Sequence, residues 1–221
     1  GKHTDGLNAM KKFFSKAEKE KTRLLASDYE YNGKLLAKNN QDSLGVLSLA
    51  QALKMDSSKV ELYGEMGSMY SKMKKYPEAI AAFNKKANAG KANANDFYGM
   101  GKACYFMKDF VNADSNFVKI TRSNPELPLG YLWRAKANVQ LDPKNEKWLA
   151  KPYYETYIYK VKPEENEKNK KDLADAYNYL GVYYLNQKEY KTAKTNFQEV
   201  IKFDPSNTNA KKFLASPEAN K

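Results

Sequence analysis

Residues 174–207 read ADAYNYLGVYYLNQKEYKTAKTNFQEVIKFDPSN, and the spacing of their apolar positions decides the fold. Tyr177, Leu180, Gly181 and Tyr184 stand at i, i+3, i+4 and i+7, one face of a helix. Ala193, Phe197, Val200 and Ile201 repeat the pattern one helix later. Pro205 stops that second helix, because proline lacks the N–H that would continue it. Gly181 and Ala193 are small on facing helices, so the spacing predicts an antiparallel pair in close approach. A glycine inside a helix costs about 1 kcal/mol relative to alanine, which implies a packing need.

The same order recurs upstream. Tyr63, Met66, Gly67 and Tyr70 precede Ala79 and Phe83; Phe97, Met100, Gly101 and Cys104 precede Ala113, Phe117 and Pro125. Around Gly33 the company is weaker: Tyr29, Leu36, then Gly45 and Leu49. Gly33, Gly67 and Gly101 stand 34 residues apart, and one further step lands on Ala135. A fixed period of this size marks units that bury their apolar faces against one another. The chain is therefore predicted to be an all-α solenoid of antiparallel helix pairs.

The layout follows from the period. An orphan helix is predicted over 7–21, with Ala9, Phe13 and Ala17 on one face. It lacks the first helix of its pair, which points to contact with further repeats upstream. Five helix pairs follow, over 26–55, 59–89, 94–125, 128–161 and 173–205, closed by a capping helix over 208–215. The pair at 128–161 is irregular. Its second helix is predicted over 146–160 after the turn Asp142–Asn145. The charged stretch 162–172 reads as an exit loop, and Gly181 arrives 46 residues after Ala135, 12 late. The whole of 1–221 reads as a single array.

The pattern resembles the tetratricopeptide-repeat family, whose signature runs W-x2-L-G-x2-Y, A-x3-F, P. The match is closest over Ala174 to Asn207. The resemblance implies a right-handed superhelix whose first helices line a concave groove for a partner peptide. By helical spacing that partner-binding groove comprises Lys34, Tyr98, Lys102, Tyr105, Leu132, Lys136, Val139 and Asn178. Lys34, Lys102 and Lys136 form a lysine ladder, which suits an acidic or aromatic-bearing segment. Some relatives grip chaperone tails with a lysine–asparagine–lysine–arginine clamp. This chain places Glu30 and Lys34, then Glu65, then Asn95 and Gly99 at those positions, so that ligand is not implied.

Composition narrows the function further. The net charge is +12, yet only Arg23, Arg122 and Arg134 stand among 38 basic residues, with 26 acids interspersed. Nucleic-acid readers favour the arginine fork, so nucleic acid is a poor candidate and a solvated lysine surface the better reading. One histidine, His3, and one cysteine, Cys104, leave no catalytic triad, thiolate cluster or multi-histidine metal site. No run is apolar enough to span a membrane. The reading is a non-catalytic interaction scaffold without cofactor or metal, its compartment unassigned. The alternative is an assembly module, or an accessory domain of a larger protein.

Overall fold

The computed structural model describes residues 2–221. Among the described residues the chain is all-α, with twelve helices, two short 3-10 turns and no strand. The helices gather into two compact units, residues up to Asp109 and Phe110–Lys221.

The first unit holds α1 (Lys2–Lys19), α2 (Ala26–Lys38), α3 (Asp42–Met55), α4 (Leu62–Lys72), α5 (Tyr76–Asn88) and α6 (Ala94–Phe106). Short connections make α2 and α3 one antiparallel pair and α4 and α5 another. Each connection closes in the same way. Asn40 and Lys74 take the left-handed conformation, at φ 58° and 57°. The next N–H then bonds back into the helix: Gln41 to the Leu36 carbonyl and Lys75 to that of Tyr70, both at 2.9 Å. This is the Schellman closure, usually made by glycine. Lys108 and Lys188 occupy the same place at the ends of their helices, at φ 64° and 62°. The lysines there cost roughly 1 kcal/mol each, whereas asparagine enters this conformation more readily.

The packing is an interlock of bare backbone and large side chain. Phe83 of α5, 1% exposed, presses its ring on Gly67 of α4, where a Cβ would lie 2.8 Å from the ring. At the α2–α3 crossing two glycines meet: a Cβ on Gly33 would lie 3.0 Å from the Gly45 carbonyl oxygen. Leu49 and Met69 fill the space beside them, 0% and 2% exposed.

Two expectations for α1 need correction. The helix spans Lys2–Lys19 rather than 7–21. Its buried face is Leu7, Met10, Phe14 and Ala17, whereas Ala9 and Phe13 face solvent. Both stripes have helical spacing, and one residue of phase rotates a face by about 100°. The Phe14 ring decides the phase by packing edge-on to Tyr29 at 5.2 Å.

The second unit holds α7 (Phe110–Ser123), α8 (Pro128–Leu141), α9 (Lys151–Lys160), α10 (Asn166–Asn186), α11 (Tyr190–Phe203) and α12 (Thr208–Leu214). Gly181 of α10 repeats the interlock against Phe197 of α11, where a Cβ would lie 2.8 Å from the ring. Phe213 of α12 backs that ring at 4.9 Å between centroids. Asp114 of α7 accepts from Arg134 Nε at 2.9 Å and from Asn138 Nδ2 at 3.1 Å, tying α7 to α8.

The irregular repeat differs from its sequence reading in two places. α9 begins at Lys151, not 146, because the Asp142 carboxylate gathers the loop. It accepts from the N–H groups of Glu146 and Lys147, each at 2.9 Å. Burial opposes its charge, but these backbone donors hold its carboxyl below the usual aspartate range. The charged stretch is not a loop throughout: a 3-10 turn at Pro163–Glu165 leads into α10 at Asn166. An ion pair between Asp172 and Lys136 of α8, at 2.7 Å, fixes its second turn.

Leucine at Gly181 would have to displace Phe197 and the Phe213 ring behind it. Gly181→Leu is expected to cost roughly 1–3 kcal/mol in denaturant unfolding. An unchanged midpoint would contradict the close approach.

Candidate functional site

In the first unit a hollow of about 450 Å³ opens between α4 and α6, beside the start of α5. Phe83, Gly99 and Ala103 make its floor. Tyr76, Tyr98 and Phe106 wall it, and Lys72 and Lys102 stand at its rim. Gly99 has a definite role: a Cβ there would lie 2.5 Å from Phe83 Cζ. The ring that packs on Gly67 therefore also closes the hollow from below. Tyr76 and Phe106 stack at 5.5 Å with 21° between planes, and Phe106 remains 51% exposed. Lys102 Nζ lies 5.1 Å from the centroid of Tyr98. Ser71, also in the lining, has its Oγ buried without a hydrogen-bond partner.

The start of α6 fixes the direction of Tyr98, Gly99 and Lys102. Asn93 Oδ1 accepts from the N–H groups of Asn95 and Asp96, and Asp96 Oδ2 accepts from the Asn93 N–H at 2.8 Å. This reciprocal cap satisfies donors that a helix start otherwise leaves open. Asp96 is also half of a buried ion pair. Lys86 Nζ lies 2.8 Å from Asp96 Oδ2 and 2.8 Å from Glu61 Oε2, the Lys86 and Asp96 side chains each 6% exposed. Burial works against the charge of Lys86. Hydrogen bonds to Asp96 and Glu61 outweigh it and hold the ammonium above the usual lysine range. Gly64 makes room, since a Cβ there would lie 2.6 Å from Asp96 Oδ1.

Of the eight residues read from the sequence, the structure brings Tyr98 and Lys102 together in this hollow. Tyr105 is half-buried on α6, its ring edge-on to Phe106 at 5.9 Å. Lys34 on α2 pairs with Glu30 at 2.8 Å, and Glu30 also holds Lys59 at 2.8 Å. In the second unit, Lys136 pairs with Asp172 and lies over the Trp133 ring at 5.2 Å. Two rungs of the expected ladder are thus held by carboxylates. Leu132 departs from the groove reading altogether: it is 3% exposed, in the core with Tyr154, Tyr157 and Leu180. Val139 packs half-buried on the same core. Asn178 is half-buried on α10, with its Oδ1 buried and unpartnered.

The sequence reading does not place Phe83, Gly99 and Tyr76 in the site. A signal for Gly99 existed: a second glycine two residues before Gly101 doubles the helix penalty. Among the described residues no cluster of three or more His, Cys, Asp or Glu has the grouping to hold a metal ion. Cys104 is 4% exposed, and burial, with Asp109 nearby, pushes its thiol up from the usual range. No described helix is long and apolar enough to cross a membrane.

Comparison with known proteins returns one architecture. The tetratricopeptide-repeat profile matches residues 174–207, and a second profile of that repeat matches 60–85. The C-terminal part of a TPR repeat-containing protein from Cytophaga hutchinsonii is 33% identical, with a TM-score of 0.83 over 97% of this chain and 82% of that one. YrrB, described as a TPR protein with an unusual peptide-binding site, is 20% identical, with a TM-score of 0.67 over 90% of this chain and 96% of its own. PilF of Pseudomonas aeruginosa is 16% identical, with a TM-score of 0.62 and 96% of each chain covered. The latter two share the fold alone. No curated protein sequence matches significantly.

Removing one partner of a buried ion pair leaves the other charge uncompensated. Lys86→Met strands Asp96 and is expected to cost about 3–5 kcal/mol in denaturant unfolding. A loss below about 1 kcal/mol, the range of exposed pairs, would contradict the buried role.

Proposed function

This chain belongs to the tetratricopeptide-repeat family, and we propose that it is a non-catalytic scaffold that holds a peptide segment of a protein partner. The docking point is the α4–α6 hollow. The observation that carries this is chemical: an apolar floor and three aromatic rings lie under two lysines in one open recess. Aromatic rings supply large rigid contact area and dominate interface energetics. Lysines at the rim favour a carboxylate and exclude like charge. The ligand that fits is an extended segment with an aromatic or bulky apolar side chain next to an acid. YrrB, of the same fold, is described as having a peptide-binding site, which makes a peptide the natural ligand class. A non-catalytic role accords with the lone histidine and cysteine, placed on α1 and α6 with the thiol buried.

Selection from a random peptide library on the purified chain tests the reading. Enrichment of peptides that pair an aromatic with an acidic residue is expected. Phe106→Ala with Lys102→Glu should weaken the selected peptide at least about tenfold, the cost of one modest hot spot, without lowering the melting temperature. Enrichment of basic peptides, or unchanged affinity in the double variant, would contradict the assignment.

A further inference from the structure

A second hollow in the first unit, of about 470 Å³, runs between α1 and α3 over a floor of α2. Leu7, Met10 and Phe14 form the α1 wall, and Leu44 and Leu47 the α3 wall. Leu44 is 52% exposed and Leu47 66%. The polar groups of the floor are already occupied. Asn32 Nδ2 donates to Ser48 Oγ at 3.1 Å, and Ser48 Oγ donates to the Tyr29 carbonyl at 2.7 Å. Apart from Gln51 and Lys11, what remains for a ligand is apolar.

The other repeats serve as an internal control. Gly45 of α3 holds the repeat position of Ala79, Ala113 and Ala193. At the position of Leu44 those repeats carry Glu78, Asn112 and Thr192; at that of Leu47 they carry Ala81, Ser115 and Thr195. Stacking of the repeats therefore does not require leucine at either place. Two leucines turned to solvent where three sister repeats carry none, beside an apolar hollow, mark an interaction surface.

Charge and shape select the occupant. Lys11 is the one charged residue in the lining. Lys12, Lys16 and Lys19 lie round α1 from the hollow, on a face that shares only Lys11 with it. Lys54 lies exposed on α3, two turns beyond Leu47. A second copy of a chain of net charge +12 would bring like charge to this rim. A membrane surface is met by apolar groups standing in one plane, whereas a hollow between two helices accepts a ridge. The apolar wall of α1 extends about 10 Å, two helical turns, the reach of anchors at i, i+3 and i+7, and Leu44 and Leu47 face it over about one turn of α3. We infer that the α1–α3 hollow binds an acidic amphipathic helix of a partner protein, its apolar stripe on Leu44 and Leu47 and its carboxylates on Lys11 and Lys54. This site is separate from the α4–α6 hollow and stands without it.

The test uses the full chain and two synthetic fluorescein-labelled helices. Both carry leucines at i, i+3 and i+7; one has glutamates on its polar face, the other lysines. In anisotropy titrations the glutamate helix is expected to bind at least tenfold tighter. Leu44→Asn with Leu47→Ser installs the residues that α7 carries, so folding should survive. This variant should weaken the glutamate helix at least tenfold with an unchanged melting temperature. Lys11→Glu with Lys54→Glu should weaken it as well. Equal binding of the two helices, or indifference to the leucine pair, overturns the proposal. So does a dimer in sedimentation, or flotation with phosphatidylserine vesicles, that the leucine pair abolishes; these would assign the surface to a second copy or to lipid.

Discussion

The Phe83 ring lies between two helices that carry no side chain where it meets them. On one side is Gly67 and on the other Gly99, and a Cβ on either would come within 2.8 Å of the ring. Each glycine costs its helix about 1 kcal/mol relative to alanine. Burying a phenylalanine contributes about 1.5–3 kcal/mol, and the close approach adds dispersion contacts along both helices. The exchange is favourable only while the faces stay bare. The same balance returns at Gly181 and Phe197, and in altered form at Gly33 and Gly45, where backbone meets backbone.

That interlock ties the fold to the site. Phe83 is core by burial, yet it is also the floor of the α4–α6 hollow. Around it the walls are placed by local chemistry. The Asn93–Asp96 cap and the buried Lys86 pair set the start of α6, and the Tyr76–Phe106 stack closes one side. At the rim of the hollow, Lys72 lies 3.6 Å from an Asp42 carboxylate oxygen. Lys34 and Lys136 already hold carboxylates at 2.8 and 2.7 Å, so the expected charge ladder is interrupted.

The helix pairs were legible because burial is periodic: Tyr177, Leu180, Gly181 and Tyr184 can share a face in a helix and in nothing else. Azimuth was less legible. α1 offers two stripes of helical spacing, and the contact of Phe14 with Tyr29, invisible locally, selects one. Leu132 shows the same limit, since its spacing allows groove or core and the contact with Tyr154, Tyr157 and Leu180 makes it core. Long-range polar contacts left no local trace. Asp142 delays α9 by capturing N–H groups beyond it, and Asp172 draws a charged stretch into α10. In the site, Tyr98 and Lys102 could be read from spacing. Tyr76 and Phe83 could not, because they reach the hollow from another helix.

The interlock is tested most directly by a double-mutant cycle on Gly67→Ala and Phe83→Leu, read by denaturant unfolding. Alanine alone should push against the ring and cost roughly 1–3 kcal/mol. Leucine alone leaves space and should cost a comparable amount. Together they relieve each other, so the double variant should be more stable than the sum of the two by about 1 kcal/mol or more, the coupling expected of residues in contact. Costs that add to within about 0.5 kcal/mol would mean that the glycine and the ring act independently, contrary to the structure described.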